Sequence, residues 1–411
     1  MNVLVFNCGS SSLKYKIISM PGEQELAGGA AERVGPKTSE PSRIVHRYKG
    51  KTEIHQVEMR NHHESFLEIM KLLSKYPDLI PDAVGHRVVH GGKYFTGPVI
   101  SDDSVMAKLE EIKDLAPLHN PPIMELMYAC GKSYPDLPQV PVFDTAFHST
   151  IPDYAATYPI PSDICKKMNI RKYGFHGTSH QYVVEEAAKF MGIPKDRINA
   201  VSCHLGSGGA SLCAVSGGRS IDNTMGYSPL QGLVMSTRCG DLDPAVSMQL
   251  LSLHENNNEE VDKILNRQSG VLGLSGYSSD IRDVLNSIAS GGSHDERLLK
   301  TAEVYLWRIK KYLGAYLAIT GRVDAVIFTD TIGEEVPFVR ANVCLSMEIF
   351  GLIIDHAKNN NAHKLPVDIA AANSPVKILV IATNEELAIA RRTYETITGH
   401  QTVPVTQDLR I

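Results

Sequence analysis

One pattern occurs twice in the chain and constrains its fold more than any other feature: an apolar run, a turn of small residues, then a second alternating run. The copies are "NVLVFNCGSSSLKYKII" (2–18) and "AVSCHLGSGGASLCAV" (200–215). A hairpin needs only two or three turn residues, so a longer Gly/Ser/Asn turn is either a loose tip or a cradle of backbone N–H groups facing an anion. Aligning Gly9 with Gly206 places Ser10 on Ser207 and Leu13 on Ala210, a match in pattern rather than in letters. It predicts two domains built on one plan.

Between and after the copies, strands and helices alternate, which predicts an α/β fold. Strand candidates are "DAVGHRVVHGG" (82–92), "QVPVFDTAFH" (139–148), "VDAVIFT" (323–329) and the run opening at Val376. Helices are expected over 63–76, over 178–192 with Thr178 and Gln181 as a capping box and Gly192 as the stop, after Pro337, and at the end of the chain. The Pro-rich connector 149–163 marks the domain boundary. The expected domains are 1–149 with a returning 385–411, and 150–384.

A chain of 411 residues, 43% hydrophobic and 21% charged, has apolar content enough for such a pair of cores. A net charge of −5, with basic residues scattered, gives no footprint for nucleic acid or an anionic membrane. Seven cysteines without a C-x-x-C pair argue against a disulfide framework or a zinc site. No run approaches a membrane span, and the cytoplasm is the expected compartment.

Ligands of open α/β sheets bind beyond the carboxyl ends of strands. The polar residues there are Asn7, Arg87, His90, Asp144, His148, His204, Asp330 to Glu335, and Thr383 to Glu386, joined by the loops "GFHGTSH" (174–180) and "MSTRCGDLDP" (235–244). Small-residue turns, two loop arginines, histidines and carboxylates suit phosphoryl transfer, in which the protein mainly positions groups and neutralises spreading charge. No G-x-x-x-x-G-K-[ST] occurs, which excludes a P-loop. The alternatives are structural: Lys14 as a solvated strand lysine, Arg238 as the partner of Asp241 or Asp243, and Asp243-Pro244 as a helix start.

The blocks "VFNCGSSSLKYKI", "GHRVVHGG", "LAPLHNPP", "FDTAFH", "YGFHGTSH", "CHLGSGGAS", "TMGYSPLQGLVMSTRCGDLDP", "SSDIRD" and "TNEELAIA" stand in the order and spacing of the acetate kinase family, which this chain resembles over nearly its whole length. The resemblance implies a duplicated actin-like/ribonuclease H-like fold, with mixed sheets flanked by helices and a nucleotide cleft between the domains. It also implies reversible phosphoryl transfer from ATP to acetate, magnesium or alternatively manganese, and a homodimer. Asn7 and Glu385 would hold the metal, and Lys14 would approach the phosphates. Arg87 would pair with the substrate carboxylate, Asp144 would act at the reacting centre, and His176 and Arg238 would stabilise the transition state. His119 belongs to the same lining, while Val89, Leu118, Phe175 and Pro229 would surround the acid's methyl group. His204, Leu205, Gly206, Ser207, Gly208, Asp280, Ile281, Arg282, Thr331, Ile332, Gly333, Glu334 and Glu335 would line the nucleotide.

Departures from the family pattern fall mainly on the donor side. Relatives commonly read Asn-Gly at Ser207-Gly208, Gly-Ile-Gly-Glu-Asn at 331–335, and Pro at Ala382. Thr331 should crowd the nucleotide, and Glu335 should repel a phosphate. Propionate as acceptor or pyrophosphate as donor is therefore an alternative within the class. A non-catalytic ATP-binding clamp is the alternative outside it, although a clamp has no use for two arginines and an apolar pocket around a second substrate.

Overall fold

The computed structural model describes residues 1–9, 12–35, 41–117, 119–290 and 296–399; Ser10, Ser11 and Leu118 lie outside them. By internal contacts the chain divides into two units, Met1–Ala146 with the segment from Asn384 onward, and Phe147–Thr383.

The first unit is built on a seven-stranded sheet of β1 (Asn2–Cys8), β2 (Ser12–Ser19), β3 (Gln24–Glu32), β4 (Arg43–Tyr48), β5 (Lys51–Gln56), β6 (Ala83–Val88) and β7 (Gln139–Phe143). Their order is β5-β4-β3-β2-β1-β6-β7. The run β1 to β5 is an antiparallel meander, whereas β6 and β7 join parallel to β1. Alternation along β1 buries both faces: Leu4 and Phe6 pack toward the helices His62–Leu73 and Asn120–Ser133, and Val3 and Val5 toward the helix Glu385–Thr398. That last helix lies close on β6 because Gly85 has no side chain; a Cβ there would meet Thr393 Oγ1 at 2.5 Å and Ile389 Cγ2 at 2.7 Å. Pro141 is tolerated inside β7 because β7 is an edge strand.

The second unit repeats the plan with β8 (Ala200–Leu205), β9 (Ala210–Ser216), β10 (Arg219–Asn223), β11 (Ala325–Thr329), β12 (Val367–Asp368) and β13 (Lys377–Val380), in the order β10-β9-β8-β11-β13-β12. Again a central hairpin is extended by an antiparallel strand on one side and by parallel β11 and β13 on the other, with the short β12 antiparallel at that edge. The hairpin turns share a closing bond: Gly9 N–H donates to Ser12 O at 2.8 Å, and Gly206 N–H to Gly209 O at 3.0 Å. The fold is the expected duplicated α/β plan of mixed sheets flanked by helices.

One expectation is corrected. The helix over Gly177–Met191 has no Thr178–Gln181 capping box; its N-cap is His176 in the left-handed region (φ 57°), with no side-chain cap bond. The helix begins one residue past His176, so Thr178 is already inside its first turn and buried. The stop at Gly192 (φ 67°) is as expected, as are Asp243 capping the helix Pro244–Leu253 and the helix Pro337–Cys344. Among the described residues no helix is long and apolar enough to cross a membrane.

Candidate active site

In the first unit the functional side chains sit where parallel strands end. Register places Phe6 opposite His86 and Val88 opposite Phe143, so Asn7, Arg87 and Asp144 emerge together at the carboxyl edge. Arg87 donates Nε and Nη2 to Asp144 Oδ2 at 3.0 and 2.7 Å and Nη1 to Asn7 Oδ1 at 3.4 Å; Nη1 also lies 3.3 Å from Glu385 Oε2. Asp144 is 1% exposed, a burial its charge tolerates because Arg87 pairs with it. Burial disfavours the Arg87 charge, but Asp144 and Glu385 outweigh it and hold the guanidinium above its ordinary value. Glu385 opens the last helix, whose N-cap Asn384 accepts from Leu387 N–H at 3.1 Å.

Lys14 is exposed and directly opposite Asn7 across the β1–β2 hairpin. His119 is exposed, just ahead of the helix Asn120–Ser133; Asn120 Nδ2 donates to His90 O at 3.0 Å and pins this loop to the segment that carries half-buried Val89. Asn7 and Glu385 share contact with Arg87 Nη1 and supply one amide and one carboxylate oxygen. Such a hard, sparse donor set suits Mg2+, which keeps several waters and takes the rest of its ligands from phosphates. Among the described residues there is no three-residue His/Cys/Asp/Glu cluster of metal-binding type.

In the second unit, three groups of residues come together. His176 and Arg238 meet over Gly209: a Cβ there would lie 2.9 Å from Arg238 Nη2 and 3.4 Å from His176 Nε2. Arg238 is held by carbonyls, Nη1 to Pro229 O at 2.7 Å and Nη2 to Gly208 O at 3.4 Å, while Asp241 and Asp243 bond elsewhere. Arg238 is therefore not their structural partner. Burial pulls its pKa down, yet a guanidinium stays charged. His176 Nδ1 is engaged by Ser211 Oγ at 2.9 Å, and Ser211 Oγ by His180 Nε2 at 2.8 Å. Burial, with His148 and His204 nearby, keeps His180 neutral. Phe175 is buried, and its carbonyl meets His148 Nε2 at 2.9 Å.

His204 is 5% exposed, with Nδ1 at 2.9 Å from Ser179 Oγ and Nε2 at 3.0 Å from Asp330 Oδ2; its ring lies 4.2 Å from that of His176. Burial would raise the Asp330 carboxyl, but bonds from His204 and Thr331 outweigh it and hold it well below the usual carboxylate range. Ser207 N–H donates to Thr331 Oγ1 at 3.2 Å. The third group is Asp280, Arg282 and Glu335. Asp280 caps the helix Ile281–Ala289, and Arg282 reaches it at 2.8 Å and Glu335 at 2.9 Å. The charge of Glu335 thus faces Arg282, which offsets the expected repulsion of a phosphate.

Other residues of the nucleotide set turn inward. Leu205, Ile281 and Ile332 are buried, and Glu334 Oε1 accepts from Asp330 N–H at 2.8 Å and Thr383 N–H at 2.9 Å, tying the ends of β11 and β13. Sequence reasoning did not single out Ser211, Gly209 or the Asp330–His204 pair as parts of the site. A left-handed backbone at a non-glycine residue, seen at His176 (φ 57°) and Asp330 (φ 62°), marks both places, but it has no signature in the letters.

A family model described as the acetokinase family matches residues 2–391. The acetate kinase of Alkaliphilus metalliredigens is 46% identical over 401 residues, 96% of this chain and 99% of that protein. Among solved structures, the acetate kinase of Porphyromonas gingivalis matches at 38% identity with a TM-score of 0.89, and a propionate kinase from Francisella tularensis at 39% with 0.88; each match covers 96% of this chain and 99% of the other.

Proposed function

The chain belongs to the acetokinase family of phosphotransferases, and on that premise we propose that it transfers the γ-phosphoryl group of ATP reversibly to acetate, giving acetyl phosphate and ADP. A carboxylate is ionised near neutral pH and needs no strong base. The obstacle is that two anions must meet. Arg87, oriented by Asp144, offers a fixed cation to the acid's carboxylate. Arg238 and His176 offer donors to the oxygens of the transferring group, with Ser211 fixing the His176 ring. Transfer is direct and in line, with no covalent intermediate on the protein.

Asn7 and Glu385 would hold Mg2+, whose bound charge would neutralise donor phosphates, and Lys14 would add a further cation from the same edge. Val89, Phe175 and Pro229 would bound the acid's methyl group. The convergence of Arg238 and His176 over Gly209 carries this reading, with Arg238 held by the Pro229 and Gly208 carbonyls and His176 Nδ1 by Ser211 Oγ. Propionate as a second acceptor is favoured by the likeness to a named propionate kinase. A cytoplasmic homodimer completes the proposal, in keeping with exposed Trp307, Phe338 and Ile349 of the second unit. Trapping acyl phosphate with hydroxylamine, over acetate, propionate and butyrate and over ATP and pyrophosphate, tests the reading. Turnover confined to pyrophosphate, or to butyrate, would overturn it.

A further inference from the structure

The short helix Asp330–Glu335 that follows β11 carries two acceptors, which occupy one donor near the end of β8 and one in the turn after it. Thr331 Oγ1 accepts from Ser207 N–H at 3.2 Å, and Asp330 Oδ2 lies 3.0 Å from His204 Nε2. Asp330 Oδ1 in turn accepts from Thr331 N–H at 2.6 Å and from its hydroxyl at 3.1 Å, so the two side chains form one unit. The carboxylate also lies against the Gly/Ser turn itself: a Cβ on Gly206 would stand 2.4 Å from Asp330 Oδ2. A carboxylate accepts and does not donate, so His204 Nε2 carries the proton toward it. An anion seeking either the Ser207 N–H or the His204 Nε2–H therefore meets an internal acceptor, one of them negatively charged.

We propose that Asp330 and Thr331 are specificity-determining residues of the donor site, a built-in acceptor pair that competes with the phosphates of a nucleoside triphosphate for Ser207 and His204. This rests on the reading above that these residues face donor phosphates. ATP binding exchanges the internal hydrogen bonds for phosphate bonds rather than adding new ones, and places phosphate charge near a fixed carboxylate. The result is weak ATP binding that strengthens when the acceptors are removed and that depends on salt through Asp330. Simple crowding by Thr331 makes a different prediction, because a side chain of the same shape without a hydroxyl crowds equally.

Two near-isosteric changes separate these cases. Thr331→Val keeps the β-branched bulk and removes the acceptor. Asp330→Asn removes the charge, keeps an acceptor for His204, and suits the left-handed backbone that asparagine tolerates. Calorimetric titration of ATP into the full-length protein should give a Kd lower by about fivefold for Thr331→Val, the scale of one hydrogen bond. Asp330→Asn should bind ATP more tightly by a factor that shrinks as salt rises, while Thr331→Ser stays at the wild-type value. KM for acetate should remain unchanged in all three. ATP affinity in Thr331→Val and Asp330→Asn equal to or weaker than wild type would overturn the proposal. Should Asp330→Asn melt far below the others, the comparison of Thr331→Val with Thr331→Ser decides alone. Tighter ATP binding in a protein that makes no acetyl phosphate would instead refute the acetate assignment and leave the acceptor pair standing.

Discussion

Arg238→Ala should leave the protein folded and nearly inactive. The loop around Arg238 is held by backbone bonds that alanine retains, Met235 N–H to Arg238 O at 3.1 Å and Val271 N–H to Met235 O at 2.9 Å. What is lost is one well-formed charge-assisted bond to Pro229 O at 2.7 Å and a longer one to Gly208 O at 3.4 Å. Such bonds contribute about 1.5–3 kcal/mol, but removing the guanidinium also relieves the burial that depresses its pKa. The net loss of stability should therefore fall below that range, about 1 kcal/mol. Loss of a donor aimed at the transferring group costs roughly 10²–10³ in kcat, about 3–4 kcal/mol. Arg238→Lys keeps the charge but cannot span both carbonyls, and should fall between. Hydroxamate assays at saturating ATP and acetate give kcat, and thermal melts give stability. A kcat within about tenfold of wild type (~1.4 kcal/mol) would refute the role, as would unfolding that accounts for the lost activity.

Gly209→Ala places a methyl against Arg238 Nη2, the end of a flexible side chain, beside His176, so melting should change little while kcat falls by about tenfold or more; unchanged kcat would contradict the convergence of these groups. Val89→Ala should raise kcat/KM for propionate relative to acetate by up to about tenfold, as a methylene's worth of space allows, and no shift in that ratio would remove Val89 from the methyl pocket. Burial lowers His86 and His90 from 6.5 to about 4, and His180 well below 6.5. The folded state then binds fewer protons than the unfolded one below pH 6.5, so this stability is complete above that value and is lost as pH falls, about 3 kcal/mol for His86 alone. Urea midpoints equal at pH 7.5 and pH 4.5 would contradict that.

The duplicated hairpin, the parallel strands and the ends that carry Asn7, Arg87, Asp144 and His204 were legible because strand periodicity and small-residue turns are local signals. The pairing of Arg87 with Asp144 was not, since it depends on β6 and β7 lying side by side although two helices, Asp103–Ile112 and Asn120–Ser133, and their loops intervene in sequence. Thr178 misled for a related reason: a capping signature competes with the backbone, and the left-handed His176 starts the helix first.

The two units put their hairpins to different electrostatic use, and register explains how. In the first, β6 runs beside β1 and delivers Arg87 next to Asn7; in the second, β11 runs beside β8, pairs Thr329 with His204, and delivers Asp330 one residue later. The same topology thus sets a cation at one hairpin and an anion at the other. The short helix Asp330–Glu335 that carries the anion divides its labour by face. Ile332 and Gly333 are buried and Glu334 ties the end of β11 to that of β13, whereas Asp330, Thr331 and Glu335 bond to His204, Ser207 and Arg282. Substitutions on the outward set exchange side chain-to-side chain and turn contacts without touching the buried ties, so donor preference can change while the sheet beneath stays intact.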